Sequence, residues 1–229
     1  MLKLLFTSVL LTYASWQDIK SREIEEKIWV IMGVGGVVAT AYDAYAARDG
    51  FLFLKMVGIA AGAALFMLLL YKLGFFGFAD VEALVALCTL YSFKQGSLLP
   101  FPISVFNNAI LITAFLPILI FLRNIITIPN FSGIQDKFYK KIIILFLGYR
   151  MPLSSLDKNN FPLVREGKIR LFIPLEYDFP EFKRKAEEEG QKEVWITPGI
   201  PFILSLTGGF FMAYFWGDLI LKLVFLLLR

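Results

Sequence analysis

Long stretches without a charged side chain constrain this sequence most strongly. Residues 95–122 and 194–217 contain no Asp, Glu, Lys or Arg. Each stretch is longer than the roughly 20 apolar residues that a transmembrane helix requires. Hydrophobic residues make up 58% of the 229 positions and charged residues only 18%, whereas a soluble domain usually carries about 25% charged residues. The sequence therefore predicts a protein that spans a membrane.

Six hydrophobic segments are interpreted as transmembrane helices, so the predicted fold class is an α-helical polytopic membrane protein. Their approximate bounds are 2–18, 27–47, 51–73, 79–94, 103–123 and 199–227. The first segment, with Lys3 before an apolar run, also has the pattern of a signal peptide, but the five later segments argue against a secreted soluble product. Gly58 and Gly62 form a GxxxG pattern that is typical of close helix packing. Pro117 predicts a local kink in the fifth helix.

The distribution of Lys and Arg predicts the orientation in the membrane. Lys20, Arg22 and Lys27 follow the first helix, and Lys72 lies at the end of the third. Because basic residues of short loops are retained preferentially in the cytoplasm, we expect these loops to be cytoplasmic. The protein is then a multi-pass protein of the cell membrane with both termini outside.

The composition changes sharply at about residue 128. Between residues 128 and 196 the sequence has twelve Lys or Arg and ten Asp or Glu. This stretch is interpreted as a small cytoplasmic α+β domain inserted before the last helix. It divides the chain into helices one to five (1–127), the soluble domain (128–196) and helix six (197–229). Within the domain we expect a hairpin over 161–173 and a helix over 180–189, while 142–149 suits either a buried strand or an interfacial helix.

Residue types that are missing exclude several kinds of site. The chain has no histidine and a single cysteine, Cys88, which removes Ser-His-Asp catalysis, His-ligated zinc, CxxC metal sites and intrachain disulfides. No metal and no cofactor is expected. The net charge of +4 and the pI near 9.1 are attributed to cationic loops at the membrane surface rather than to nucleic-acid binding. Carboxylates remain as the main candidates for chemistry.

Two aspartates lie at helix ends on the same predicted side of the membrane. Asp18 ends the first helix and Asp80 begins the fourth, so both are expected at the cytoplasmic boundary. Two close carboxylates share one proton, and such a pair can activate water and polarise a peptide carbonyl, as in an aspartyl protease. Asp80 would also suit a helix cap, and spacing alone leaves both interpretations open.

Other carboxylates compete for these roles. Residues two apart on a helix point to nearly opposite sides, so only one of Asp80 and Glu82 can face Asp18. Gly77, shortly before Asp80, allows close approach of a substrate backbone and favours Asp80. Asp43 and Asp218 lie near the predicted outer boundary and are interpreted as helix-end anchors.

At these residues the chain resembles a known family. The sequence Gly77-Phe78-Ala79-Asp80 resembles the GxGD signature of the membrane aspartyl proteases, with Ala79 in place of the usual second glycine. The stretch that starts at Asp18 resembles the first catalytic motif of type IV prepilin peptidases. The charged domain before the last helix is most similar to that of the archaeal preflagellin peptidases. The zinc-binding CxxC pairs and the N-methyltransferase domain of many bacterial relatives are absent, which implies peptidase activity alone.

The resemblance implies a function and a site. It implies that Asp18 and Asp80 activate water to cut preflagellin or prepilin-like precursors, which carry a short basic leader before a hydrophobic helix. The expected partners are these precursors and the lipid bilayer. The resemblance also implies an active-site backbone at Gly77, Phe78 and Ala79. Candidate contacts for the basic leader, beside Asp18, are Glu23, Glu25 and Glu26.

Two other functions remain open at this point. A small multispan transporter would carry a carboxylate at the bilayer midplane or an inverted repeat, and the sequence shows no repeat between its two halves. A non-catalytic membrane scaffold would bind partners through the charged domain. Ala79 is the one sequence feature that favours the scaffold.

Overall fold

The computed structural model describes residues 1–91, 98–132, 134–157, 160–165, 167–170, 178–199 and 201–228. The chain forms two compact units. The first comprises Met1–Thr113 and Pro201–Arg229, and the second comprises Ala114–Ile200. The functional division predicted from composition, at residues 127 and 196, stays a prediction.

The first unit is helical throughout its described elements. Its helices are α1 (Leu2–Lys20), α2 (Glu26–Ala47), α3 (Phe51–Lys72), α4 (Phe78–Leu90), α5 (Phe101–Thr113), α9 (Phe202–Trp216) and α10 (Leu219–Leu227). The predicted last helix is thus two helices, which bend by 61° relative to each other. Gly217 at the break has a φ of 78°, and the Asp218 side chain caps α10 by accepting a hydrogen bond from the Leu221 amide at 2.9 Å.

Helix α4 lies at the centre of the first unit, against α2 and α3. Apolar residues surround its axis and most of them are buried, as expected for a helix that packs on all sides. A Cβ atom on Gly36 of α2 would collide with Thr89 and with the backbone of Leu90, so glycine permits this close crossing. Thr40 locks the same crossing by donating its hydroxyl to the Thr89 carbonyl at 2.6 Å.

The GxxxG pattern of α3 does not mark a helix contact in the described part of the chain. A Cβ atom on Gly58 or Gly62 would meet no atom within 4 Å. Only Met56 and Met67 are buried on α3. The predicted close packing at these two glycines is therefore not found within the described part of the chain. An apolar helix face can instead be exposed to lipid, whose tails are as apolar as leucine.

Three stretches of helix are long and apolar enough to cross a membrane, namely Glu26–Ala47, Phe51–Lys72 and Phe101–Thr127, and the bent pair of α9 and α10 makes a fourth if it is one span. Helix α4 has 13 residues and, at about 1.5 Å per residue, is shorter than a hydrocarbon core of about 30 Å. The count of six spans therefore stays a prediction. The stretch Phe101–Thr127 is interrupted at Ala114, because Pro117 has no N–H to donate to the Thr113 carbonyl.

The described residues of the second unit form three α-helices, a short 3-10 helix (Leu153–Ser155) and two small antiparallel sheets. Its elements are α6 (Phe115–Thr127), α7 (Phe138–Leu147), β1 (Tyr149–Pro152), β2 (Asn160–Pro162), β3 (Val164–Arg165), β4 (Lys168–Ile169), α8 (Phe179–Glu188) and β5 (Glu193–Pro198). Strand β5 is central in the order β1-β5-β2, and β3 pairs with β4. The ambiguous segment 142–149 is thus mostly helix, and α8 matches the predicted helix within one residue.

The predicted hairpin over 161–173 is found only in part. Strands β3 and β4 form it around Gly167, which has a φ of 71°. Phe161 instead pairs with Thr197 of β5 in the other sheet, because the pattern of apolar residues does not specify which strand is the partner. Residues 171–173 lie outside the described residues.

Polar contacts hold α7 against α6 within the second unit. The Asn124 amide donates to the carbonyls of Leu145 and Gly148 at 2.8 and 2.7 Å. Phe121 and Phe146 stack with their ring centroids 4.1 Å apart. The chain that leaves α6 is therefore fixed by the first helix that follows it.

Candidate active site

Asp18 lies at the contact between α1 and α9. The residue is 8% exposed, and its Oδ2 accepts a hydrogen bond from the Ile203 amide at 3.1 Å. Ile203 is in the first turn of α9, where backbone N–H groups have no partner within the helix. Pro201 precedes this turn and provides no side-chain cap. Asp18 therefore caps α9 from another helix, which places a carboxylate at the positive end of the helix dipole.

Two hydroxyl groups lie beside Asp18 at the start of α9. Ser15 and Thr207 face each other with their hydroxyl oxygens 2.7 Å apart. Both hydroxyl oxygens also lie within hydrogen-bond distance of the Ile203 carbonyl oxygen, at 3.3 Å for Ser15 and 2.9 Å for Thr207. Each hydroxyl has one proton, so when one hydroxyl donates to the other, the second can donate to Ile203. The α1–α9 contact thus contains a short polar network beside Asp18.

Arg22 forms an ion pair with Asp18. Its Nη1 lies 3.8 Å from Asp18 Oδ1. The backbone of Arg22 has a φ of 59°, a conformation that residues with a Cβ adopt uncommonly. The turn after α1 thus directs a guanidinium group back towards the Asp18 carboxylate in the last turn of α1.

Asp80 lies in the first turn of α4. Its Oδ2 accepts a hydrogen bond from the Gly77 amide at 2.8 Å, so the capping interpretation describes a real contact. A carboxylate has two oxygens and about four acceptor sites. Capping by one oxygen therefore leaves a catalytic role of Asp80 open.

The structure brings Asp80 within electrostatic range of Asp18. Glu82 lies instead within range of Glu26, at the start of α2. This difference follows from the helix, which turns residues 80 and 82 to different sides. Asp80, rather than Glu82, is thus the carboxylate of α4 that the structure brings near Asp18.

The backbone before Asp80 accommodates Ala79 without strain. Ala79 lies inside α4 and is not among the described non-glycine residues with positive φ. Gly77 is extended, with a φ of −79°, whereas Gly74 has a φ of 77°. Phe78 is exposed, and its ring packs edge to face with that of Tyr71, with the two ring centroids 5.8 Å apart. Alanine therefore fits this position of the motif, because the left-handed conformation in the preceding turn falls on Gly74.

The three glutamates beside Asp18 are exposed in the turn between α1 and α2. Glu25 is held by Gln17, whose amide donates to Glu25 Oε1 at 3.2 Å and whose carbonyl oxygen accepts from the Glu25 amide at 3.1 Å. Glu26 lies in the first turn of α2, and Glu23 lies next to Ser21, whose hydroxyl donates to its carbonyl at 3.0 Å. This turn therefore presents acidic side chains to water next to Asp18.

The two remaining aspartates have other partners. Asp43 forms an ion pair with Lys3 of α1. Asp218 is buried at the start of α10 and accepts a hydrogen bond from the Asn107 amide at 2.8 Å. Each of these carboxylates connects two helices away from the Asp18 contact with α9.

Sequence reasoning missed several residues around Asp18, namely Ser15, Gln17, Arg22 as its ion-pair partner, Ile203 and Thr207. Ser15 precedes Asp18 by three positions and so shares its helix face, a spacing that could have drawn attention to it. The role of Thr207 had no local signal, because its partners lie on another helix.

Apolar helices and two carboxylates at helix termini define a membrane protein with an acidic site. The chain belongs to the type IV leader peptidase family, whose sequence profile matches residues 5–121. A second profile, archaeal peptidase A24 C-terminus type II, matches residues 140–219. The first match includes Asp18 and Asp80, and the second includes the start of α9. Membership of this family favours a peptidase over a transporter or a scaffold.

Curated relatives named preflagellin peptidase align with almost the whole chain. The protein of Methanocaldococcus jannaschii is 29% identical over 96% of this chain and 96% of its own length. The protein of Methanococcus maripaludis is 30% identical over 92% of this chain and 93% of its own. That of Methanococcus voltae is 29% identical over 93% and 94%. The similarity therefore extends over both units.

Proposed function

We propose that this chain is a membrane-embedded aspartyl endopeptidase that removes the leader peptide from preflagellin or prepilin-like precursors. The observation that carries the proposal is that Asp18 and Asp80, from α1 and α4, lie within electrostatic range of each other. Each also accepts a backbone N–H at a helix N-terminus, where negative charge is stabilised. The names of the relatives indicate the substrate class.

The chemistry needs one shared proton between the two carboxylates. The ionised carboxylate accepts a proton from water while the water oxygen forms a bond to the carbonyl carbon of the peptide. The protonated carboxyl group donates a hydrogen bond to the carbonyl oxygen. When the intermediate collapses, the C–N bond breaks and the leaving nitrogen takes a proton from a carboxyl group. Neither step requires a group other than water and the two aspartates.

The acidic turn between α1 and α2 suits a basic leader. Glu23, Glu25 and Glu26 are exposed there, and opposite charges steer association more than they add affinity. In the proposed orientation this turn and the second unit are cytoplasmic and both termini are outside. A leader that enters from the cytoplasm would then meet the glutamates close to Asp18.

The test is cleavage of a purified archaellin precursor by the full-length protein in detergent, followed as a shortening on a gel. Asp18→Asn and Asp80→Asn are each expected to lower the rate by at least about 10²–10⁴-fold, the usual contribution of an acid–base group. The double variant should be no worse than either single variant, because groups that act as a unit are not additive.

Three other carboxylates provide matched controls. Glu82→Gln, Asp43→Asn and Asp218→Asn remove a charge in the same way and should retain most of the activity. An active Asp80→Asn together with an inactive Glu82→Gln would transfer the catalytic role to Glu82. An active wild-type protein whose Asp18→Asn and Asp80→Asn variants are both active would exclude the aspartyl mechanism.

A further inference from the structure

We propose that Ser15 and Thr207 are positioning residues that hold Asp18 in register with the N-terminus of α9. The hydroxyls of Ser15 and Thr207, together with the Ile203 backbone, are called the α1–α9 clasp. The inference rests on the proposed function, because it concerns how the catalytic carboxylate is oriented. Neither Ser15 nor Thr207 is proposed to contact the substrate.

Both ends of one residue are tied to the α1 face that carries Asp18. The Ile203 amide donates to Asp18 of α1. The Ile203 carbonyl oxygen lies within hydrogen-bond distance of the Ser15 hydroxyl of α1 and of the Thr207 hydroxyl of α9. Ser15 and Asp18 are three positions apart and so lie on one face of α1. A shift of α9 along α1 would therefore lengthen the hydrogen bonds that Asp18 and Ser15 form with the Ile203 backbone.

A second bond extends the clasp by one turn of α1. The Thr207 hydroxyl also lies 3.3 Å from the Leu11 carbonyl, one turn before Ser15. The hydroxyl oxygens of Ser15 and Thr207 are 2.7 Å apart, with either group able to donate. Thr207 thus bridges the two helices over a full turn, which fixes both the rotation and the height of α9.

Packing alone does not explain these hydroxyls. Ser15 is 4% exposed and Thr207 is 8% exposed, and a buried hydroxyl without partners is unfavourable. Leu11, Ala14 and Leu206 already provide apolar contact in the same core. Apolar contact is non-directional, whereas hydrogen bonds require a defined distance and angle. The clasp therefore provides the register that the apolar residues do not specify.

The consequence for catalysis is geometric. A misplacement of about 1 Å in a catalytic group can lower the rate about 10²-fold. Loss of the clasp should thus impair the chemical step, and it should leave substrate binding nearly unchanged because Ser15 and Thr207 are buried in the α1–α9 contact. A residue with a merely structural role would change stability without this separation of kcat from KM.

The test uses Thr207→Val, which removes the hydroxyl and keeps the branched shape. We expect kcat for precursor cleavage to fall about ten- to a hundredfold with KM within about twofold. Thr207→Ser restores the hydroxyl and should keep kcat within about threefold of the wild type. Ser15→Ala should resemble Thr207→Val, and the double variant should fall no further than the worse single variant, since both belong to one network.

Thr40→Val is the matched control. Thr40 is 3% exposed and its hydroxyl also links two helices, by donating to Thr89, but this link joins α2 to α4. Thr40→Val should lower the thermal unfolding midpoint about as much as Thr207→Val and should leave kcat unchanged. Equal losses of kcat in both valine variants, or an unchanged kcat in both Thr207→Val and Ser15→Ala, would overturn the proposal.

The outcome is separable from that of the proposed function. If Asp18→Asn retains activity, the proposed function fails and the clasp fails with it. If Asp18→Asn is inactive and Thr207→Val is fully active, the clasp alone is excluded. Should Thr207→Val not fold, the smaller change Ser15→Ala decides the question by the same ratio of kcat to KM.

Discussion

At the scale of single residues, the backbone conformation explains why the motif Gly77–Asp80 accommodates an alanine at position 79. Ala79 occupies a helical position in α4, and the left-handed conformation of the preceding turn falls on Gly74. A glycine at position 79 therefore has no conformational advantage. Alanine is the better helix former by up to about 1 kcal/mol, so the substitution in the motif strengthens the start of α4.

Ala79→Gly is accordingly expected to retain cleavage activity within a fewfold of the wild type. Its free energy of unfolding should fall by no more than about 1 kcal/mol, the difference in helix propensity between the two residues. Gel-based cleavage rates and thermal unfolding in detergent measure the two effects. A folded but inactive Ala79→Gly protein would show that the Cβ atom at position 79 takes part in the site.

Asp136 stabilises the second unit in a pH-dependent way. Its carboxylate accepts hydrogen bonds from the Lys140 ammonium at 3.0 Å, from the Lys137 amide at 2.9 Å and from the Ile169 amide of β4 at 3.0 Å. The Lys140 side chain is the largest of the causes that lower the pKa of Asp136 to about 2, with the amides of Lys137 and Ile169 adding to it. The carboxylate thus ties the start of α7 to the hairpin.

The sign of the effect follows from the lowered pKa. An aspartate whose folded pKa lies below its ordinary value of about 4 stabilises the fold above that value and loses this contribution as the pH falls towards 2. Amide hydrogen exchange at Ile169 should therefore be slower in the wild type than in Asp136→Asn at pH 6. The difference should vanish near pH 2. A difference that persists unchanged at pH 2 would contradict the role of the carboxylate charge.

At the scale of secondary-structure elements, α4 is closely packed. It packs against both α2 and α3, and its crossing with α2 depends on Gly36. Helices approach closely in membranes where small residues face each other. The glycines of α3 at positions 58 and 62 instead face open space. Glycine therefore permits a close helix crossing on α2, whereas on α3 it makes no close contact with another helix of the described chain.

Gly36→Val tests this packing. The added side chain would overlap Thr89 and the Leu90 backbone, and overpacking of this kind typically lowers the free energy of unfolding by about 1–3 kcal/mol. Gly33→Val on the same helix is the matched control, since a Cβ atom at position 33 meets nothing within 4 Å. Thermal unfolding of both variants in detergent gives the comparison. Equal midpoints for the two variants would refute the close α2–α4 crossing.

At the scale of the whole molecule, the orientation in the membrane is the main testable property. The predicted topology places the second unit in the cytoplasm and the turn after α2 outside. Glu187 on α8 and Tyr45 near the end of α2 are both exposed, and the single cysteine, Cys88, is buried. A membrane-impermeant thiol reagent can therefore report on introduced cysteines with little background.

Glu187→Cys should react only when the reagent reaches the cytoplasmic face, and Tyr45→Cys should react from outside in intact cells. The reason is the cluster of basic residues after α1, which is retained on the cytoplasmic side. Labelling of Glu187→Cys from outside would reverse the topology. It would also remove the argument that a cytoplasmic leader reaches the acidic turn.

The positions of the helices were largely predictable from sequence. The apolar runs set their length, and the observed bounds of α1, α2 and α3 lie within two residues of those predicted. The helix break at Gly217 and Asp218 was missed, because the apolar residues on both sides were taken as one span, although a glycine followed by an aspartate is typical of the end of one helix and the start of another. Asp18 and Asp80 were also placed correctly at the end of one helix and the start of another. These features depend on local composition, which a single sequence contains.

Only the tertiary structure decided which polar groups meet. Asp18 and Ile203 are 185 positions apart, and Ser15 and Thr207 are 192 apart. The apolar faces that bring α1 and α9 together are non-directional, so the sequence of either helix does not specify the height at which they pack. The sequence by itself thus determined that this chain has membrane helices with aspartates at two of their ends. The packing of α9 against α1 determined how one of those aspartates is held, because hydrogen bonds between distant segments form only once that register exists.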